Sequence, residues 1–469
     1  MKKKIRRRVR KPSKNWKKFW KLGVDEFNTQ YFDITKDGEL SVREGNYIYN
    51  LNDIVKKYGS PVEIVFPFIL EERLEDLQDY FRAHMKIAGY RGKFYYHYPM
   101  KVNQNKEFIM PLISEGAHME VGSVNELWLV KKLWEGERFH SKLRVLCNGP
   151  KTDAYLELIE ELRLKNLSII PIIEDEHELK KLGKYKGEVG IRVNLDTKAD
   201  THWDKKIDRF GFTAKEILDL PRMKNLKLLH YHIGSQITSA GSVLKSIEEA
   251  TSLYIKLIKN QPNLDTLDIG GGFGVPYEKK PFYNAKKMSE RIVKLIKKMC
   301  DGAEARHPNL VVEWGRYIVA PAQVSIFSVI AEKPIPKGSA KSWYVIDGSF
   351  MNDLLDTWAI HQKWHIVPVN NANTKALKSV WLAGSSCDSD DKYTAGGNYI
   401  LLPKLKDGEE QYFAVFDSGA YQDALASHHC LLSSPAKLIA QDGTIKVARK
   451  RESAEAIGKL FGWSNGNHN

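Results

Sequence analysis

Tyr95-Tyr96-His97-Tyr98-Pro99-Met100-Lys101-Val102-Asn103-Gln104 is an apolar and aromatic run that stops at a lysine. Its aromatic residues suit a buried strand, and Pro99 restricts it to an edge or an ending strand. Lys101 stands where the strand ends and the polar residues begin. Apolar walls lower a lysine's pKa, because burial disfavours the ammonium. A neutral amine is what an aldehyde cofactor needs to form a Schiff base. Taken alone, a strand-end lysine is an ordinary surface residue. The rest of the chain decides what this one is.

Outward from this stretch the same pattern repeats. Short β-rich runs begin near Lys93, Ala117, Leu143, Leu167, Val189, Leu226, Leu264 and Leu310, with helical patterns between them. Tyr155, Leu158, Ile159 and Leu162 fall at i, i+3, i+4 and i+7, and so do Ile292, Leu295, Ile296 and Met299. That spacing makes one apolar stripe on a helix. The alternation predicts an α/β fold, a closed (β/α)8 barrel over residues 61–321, with an open doubly wound sheet as the alternative. After Ile318 the period changes. Short runs at Gln323–Ala331, Ser342–Ile346, Ser379–Leu382, Tyr399–Leu402, Gln411–Phe416 and Lys437–Ala440 predict a mostly β domain over 322–469, with Lys333–Ser339 as a loop. Gln30–Ile34 and Tyr47–Leu51 predict N-terminal strands, within 25–60, that join this β domain.

A chain of 469 residues can hold two domains and a large core. No stretch approaches the ~20 apolar residues of a membrane helix. The four cysteines, Cys147, Cys300, Cys387 and Cys430, are far apart and show no CxxC spacing. This argues against disulfides and a zinc site and makes a reducing cytoplasm the expected location. The net charge of +14 is local: Met1–Leu22 carries twelve Lys or Arg and no acid, which leaves +2 for the remainder. Residues 1–24 are therefore expected to be a solvated, disordered tail, because like charges repel. Contact of this tail with RNA or anionic lipid is the alternative. The body has no basic and aromatic run like an RNA module.

In a barrel, catalytic groups gather at the C-terminal ends of the strands. Here those ends read Lys101, then Glu120-Val121-Gly122-Ser123, His230-Tyr231-His232-Ile233-Gly234-Ser235-Gln236, Asp268-Ile269-Gly270-Gly271-Gly272-Phe273-Gly274 and Glu313-Trp314-Gly315-Arg316-Tyr317. A glycine cluster lets backbone N–H groups approach a phosphate, although a tight turn has the same composition. Ser235 and Arg316 add a hydroxyl and a charged fork suited to phosphate.

Taken together and in order, Tyr98-Pro-Met-Lys101-Val-Asn-Gln, His232-Ile-Gly-Ser-Gln-Ile, Asp268-Ile-Gly-Gly-Gly, Cys387-Asp-Ser-Asp390 and Gly419-Ala-Tyr-Gln422 resemble the pyridoxal-phosphate decarboxylases of the alanine-racemase-like fold. Cys147-Asn-Gly-Pro-Lys151 and Asp356-Thr-Trp-Ala-Ile360 resemble their biosynthetic arginine decarboxylase branch in particular. The resemblance runs from about Asn28 to about Leu432.

The resemblance implies that Lys101 holds pyridoxal phosphate as a Schiff base and that His232 stacks on its ring. Glu313 would face the pyridine nitrogen and keep it protonated, making the ring an electron sink. Racemases of this fold place an arginine there, so a glutamate favours decarboxylation. Gly270, Gly271, Gly272, Ser235, Gly315, Arg316 and Tyr421 would hold the phosphate. Cys387 and Asp388 would reach the active site of a partner subunit, which implies a head-to-tail homodimer. The cysteine would protonate Cα after CO2 leaves. Asp388, Asp356 and Glu120 would receive a small basic amino-acid substrate. Arginine, entering polyamine biosynthesis, is the expected substrate. Ornithine, lysine, diaminopimelate or a carboxylated polyamine are alternatives, as is a non-catalytic binding relative. Two motifs depart from the branch: Asp208-Arg209-Phe210-Gly211 stands for Ser-Lys-Phe-Gly, and Trp314 replaces a smaller residue and would narrow the site.

Overall fold

A computed structural model describes residues 15–136, 142–197, 199, 209–277 and 283–463. Eight parallel strands close into a barrel: Phe94–Pro99, His118–Val121, Arg144–Cys147, Ser168–Ile173, Val189–Arg192, Leu226–His230, Thr266–Asp268 and Asn309–Val312. Closure comes from pairing of the last strand with the first, Leu310 opposite Phe94 and Val312 opposite Tyr96. The open-sheet alternative is thereby excluded.

Side chains alternate along each strand, so one set faces the outer helices and the other fills the barrel. Leu146, Ile170, Ile172, Leu228 and Val311 form a buried cluster separate from the main core. Gly190 makes room for it: a Cβ there would lie 2.4 Å from Ile172 Cδ1. The outer face packs on helices with the predicted stripes. Tyr155, Ile159 and Leu162 are buried on Asp153–Leu164, and Ile292 and Ile296 on Ala285–Gly302.

The second domain is a ten-stranded sheet. Gln323–Pro334 runs through its centre, so Lys333 and Pro334 belong to a strand rather than to the expected loop. This sheet also takes Val62–Val65, which the sequence assigns to the barrel. That strand pairs antiparallel with Gln323–Pro334 and parallel with Ala436–Gln441. All four of its residues are buried, and a strand buried on both faces needs neighbours on both edges. The N-terminal strands Phe32–Ile34, Leu40–Glu44 and Tyr47–Asn50 form a separate three-stranded antiparallel sheet. It is tied to the β domain by Leu40 N donating to Val369 O at 2.8 Å and by Phe32 packing 4.6 Å from Phe416.

Of the basic tail, residues 1–14 lie outside the described residues. The remainder is docked rather than free. Trp16–Phe19 is a single helical turn, Trp20 and Leu22 are buried, and Trp20 Nε1 donates to Ala372 O at 2.9 Å. The apolar residues interleaved with the lysines supply a face to bury. Among the described residues no helix is long and apolar enough to cross a membrane.

Candidate active site

The inward register continues past the strand ends. Two residues beyond Leu146, Ile172, Gly190, Leu228 and Val311 stand Asn148, Glu174, Arg192, His230 and Glu313. All five line one cavity of about 770 Å3 at the C-terminal mouth. Lys101, Glu120, His232, Ser235, Arg316, Asp356 and Tyr421 line it too. A recess of about 20 Å3 adjoins it, bounded by Ser235, Gly271, Gly272, Gly315, Arg316 and Tyr421.

Lys101 lies in the short turn Met100–Val102, open to the solvent of the cavity yet deep in the protein. Burial pulls its ammonium down, but Glu120, with Tyr421 and Glu313, outweighs burial and holds its pKa above the ordinary lysine value. The expectation of a lowered pKa is corrected here, because a carboxylate beside an ammonium favours the charged form. Burial in turn raises Glu120, whose Oε1 accepts from Asn148 Nδ2 at 2.8 Å.

At the floor of the cavity three buried titratable groups meet. His230 Nδ1 lies 3.1 Å from Asp268 Oδ2 and 4.0 Å from Glu313 Oε1. Burial lowers His230 to about 4 and raises Asp268 to about 7. Burial, and then the neighbouring Asp268, push Glu313 well above the carboxylate range. Among the described residues its Oε1 has no hydrogen-bond partner.

The glycine loop follows Asp268, whose Oδ1 accepts from Gly270 N at 2.9 Å. Gly270 and Gly272 have φ of 62° and 98°, a backbone that favours glycine. A Cβ on Gly271 would lie 2.7 Å from Glu313 O, and one on Gly272 2.3 Å from Gly234 O. Gly271 N also donates to His232 Nδ1 at 3.2 Å, which fixes that ring against the loop. Arg316 Nη1 donates to the Tyr277 hydroxyl at 2.7 Å and to Asp356 Oδ2 at 3.3 Å, while its Nε has no partner among the described residues. The guanidinium stacks 4.4 Å from the ring centre of Tyr421.

Tyr421 arrives from the second domain. Its N donates to Val102 O at 2.7 Å, and Asn103 Nδ2 donates to Gly419 O and Asp423 Oδ2, both at 2.9 Å. The two domains thus meet on the turn that carries Lys101.

Cys387 and Asp388 are not brought into this cavity. Cys387 is exposed, with Sγ 3.5 Å from Cys430 Sγ, and Asp388 pairs with His429 at 3.3 Å. Trp314 does not narrow the large cavity. Its ring is buried, 4.3 Å from Phe273 and 5.7 Å from Phe81. Glu174 and Arg192, 3.3 Å apart, belong to no motif; the inward register is the signal that finds them.

The donor set fits pyridoxal phosphate. A glycine loop packed too closely on backbone to admit a Cβ, and an arginine whose Nε has no partner among the described residues, suit a phosphate. A buried carboxyl with an unpartnered oxygen suits a ring nitrogen, and an open lysine amine suits an aldehyde.

Comparison with known proteins agrees with this geometry. The biosynthetic arginine decarboxylase of Campylobacter jejuni superposes with a TM-score of 0.81 over 94% of this chain and 92% of its own, at 21% identity. The diaminopimelate decarboxylase of M. jannaschii, in complex with L-lysine, gives 0.76 over 94% and 98%, at 23% identity. These likenesses show the fold. In sequence, the biosynthetic arginine decarboxylase of Bacteroides thetaiotaomicron is 25% identical over 87% of this chain and 85% of its own length. The family described as pyridoxal-dependent decarboxylase, pyridoxal binding domain, matches residues 74–320. That match spans more than half of the chain, which therefore belongs to the pyridoxal-dependent decarboxylase family.

Proposed function

We propose that the protein is a cytoplasmic enzyme that decarboxylates L-arginine to agmatine and CO2, supplying polyamine biosynthesis, and that it works as a head-to-tail homodimer. The observation that carries this reading is the single mouth where Lys101, Glu313, the glycine loop and Arg316 meet under acidic walls. The similarity to biosynthetic arginine decarboxylases over most of the chain supports arginine as the substrate.

When bound, pyridoxal phosphate supplies an electron sink for the pair released from the Cα–carboxylate bond. Lys101 would be the amine that anchors it covalently, and Glu120 beside it would face the basic substrate. His232 would pack on the ring, and Glu313 would bind the ring nitrogen and keep it protonated. Ser235, Gly270, Gly271, Gly272, Gly315, Arg316 and Tyr421 bind the phosphate, with Asp356 and Tyr277 orienting the Arg316 fork. Asp356 and the partner subunit's Asp388 receive the guanidinium, where a charge-assisted bond contributes about 1.5–3 kcal/mol. The partner's Cys387 delivers a proton to Cα after CO2 departs, which makes the product an amine and prevents transamination. Its exposed position outside its own chain's cavity suits such a shared site.

The test is CO2 release from arginine, ornithine, lysine, diaminopimelate and carboxynorspermidine, with and without added pyridoxal phosphate. Cofactor-dependent release from arginine is expected. Release from another member alone would keep the chemistry and overturn the substrate. Silence across the panel with cofactor bound would favour a non-catalytic relative.

A further inference from the structure

Cys387 and Cys430 are distant in sequence and adjacent in space. Cys387 lies in the exposed turn after the strand Leu377–Ala383, and Cys430 in the exposed turn His429–Leu431. Their sulfurs are 3.5 Å apart. The other two cysteines, Cys147 and Cys300, are buried. The sequence reading argued against disulfides because it saw only spacing along the chain.

Both turns hang from one anchor. Buried Asp391 accepts from Ser386 N at 3.1 Å and from Phe350 N at 2.7 Å, which fixes the turn carrying Cys387. Buried Asn352, two residues beyond Phe350, donates to His429 O at 2.9 Å and accepts from His429 N at 3.1 Å, which fixes the turn carrying Cys430. Cys430 and Leu431 have φ of 57° and 52°. Non-glycine residues adopt this left-handed backbone only where their surroundings enforce it. The enforced turn aims one thiol at the other.

We propose that Cys387 and Cys430 form a reversible oxidative modification site, at which a peroxide joins the two sulfurs as a disulfide and withdraws the Cys387 thiol from catalysis. One cysteine sulfur, as thiolate, attacks a peroxide oxygen. The O–O bond breaks, and a sulfenic acid and one water result. The second sulfur attacks the sulfenyl sulfur, the S–S bond forms, and the hydroxyl leaves as a second water. The two thiols give up two electrons and two protons, and the peroxide takes both. The sulfurs must approach by roughly 1.5 Å to reach a bond of about 2.05 Å. Exposed side chains achieve this by rotation. In the resting enzyme the Cys430 thiol, with Asp388, holds the Cys387 thiol above its ordinary pKa.

The loss of activity rests on the reading of Cys387 as proton donor; formation of the disulfide does not. The test treats the holoenzyme with hydrogen peroxide and follows intact mass, non-reducing peptide maps and CO2 release, before and after dithiothreitol. The Cys430→Ser enzyme runs alongside as a protein that cannot link. The wild type is expected to lose about 2 Da and to yield a peptide joining Cys387 to Cys430. Its activity should fall in proportion to the linked fraction and return on reduction. Cys430→Ser should form no link, and the part of its activity loss that comes with sulfinic acid at Cys387 should resist dithiothreitol. A wild type that accumulates sulfinic acid at Cys387 without a link would overturn the modification site. A linked enzyme that keeps full activity would overturn the switch, and with it the role given to Cys387.

Discussion

The barrel mouth and the Cys387 turn are built in opposite ways. At the mouth, Lys101, Glu120, His230, Asp268 and Glu313 come from five barrel strands, and all but Lys101 are buried side by side. Burial shifts every one of them, and neighbouring charges set the net direction for Lys101. In the turn, Cys387 is exposed and Asp388 half-buried, and their polar partners are another thiol and His429. One region has its chemistry assembled by its own chain. The other presents side chains whose proposed use needs a second chain. The comparison teaches that one fold can carry a cluster assembled within the chain and reactive groups left exposed at its surface.

The sharpest break of this contrast is Lys101→Ala. We expect it to abolish both CO2 release and the visible absorbance of bound cofactor. A persisting band would remove Lys101 from the anchoring role. Next is Cys387→Ala, expected to lower kcat by about 10²–10⁴-fold while the cofactor spectrum stays unchanged. Unaltered kinetics would confine the chemistry to the mouth. Mixing Lys101→Ala with Cys387→Ala sharpens the comparison further. If sites are shared between subunits, mixed dimers recover part of the activity that neither variant has alone, as read by CO2 release.

A smaller effect is expected from Asp388→Ala. It should raise KM for arginine by roughly 10-fold, the equivalent of about 1.4 kcal/mol, with little change in cofactor affinity. Loss of cofactor instead would make Asp388 structural. Apart from turnover, two further expectations concern the pH dependence of stability in the cofactor-free protein. Asp268 is raised from 3.8 to about 7, so its contribution is fully present below about 3.8 and lost as pH rises through about 7. His230 is lowered from 6.5 to about 4, so its contribution is fully present above about 6.5 and lost as pH falls through about 4. Asp268→Asn should flatten the neutral side of a Tm-against-pH curve and His230→Asn the acid side, each by on the order of 1–3 kcal/mol. Curves parallel to the wild type would show that neither group carries the shift.

Much of the fold is legible in the residues. A strand buried in a barrel and a helix packed outside it have different apolar periods, and both periods are visible in stretches such as Ser168–Ile173 and Asp153–Leu164. The groups proposed to hold the cofactor are legible because they sit in motifs at strand ends. Glu174 and Arg192 are not, since a charged residue after a strand reads like any surface charge. Only the inward register of Ile172 and Gly190 marks them. His230 and Asp268 lie within motifs, but their mutual approach at the floor of the cavity is not a property of either motif.

By itself, then, the sequence determined the order of strands and helices, the glycine loop and the lysine at the first strand's end. These depend on spacing along the chain, which sets the face each side chain occupies. Tertiary structure alone decided three things. It drew Val62–Val65 into the second sheet, it set the proton affinity of Lys101 upward through Glu120, and it brought Cys387 to 3.5 Å from Cys430. Each of these depends on neighbours through space, and strand pairing, Coulomb interaction and thiol contact all act between residues that the linear order keeps apart.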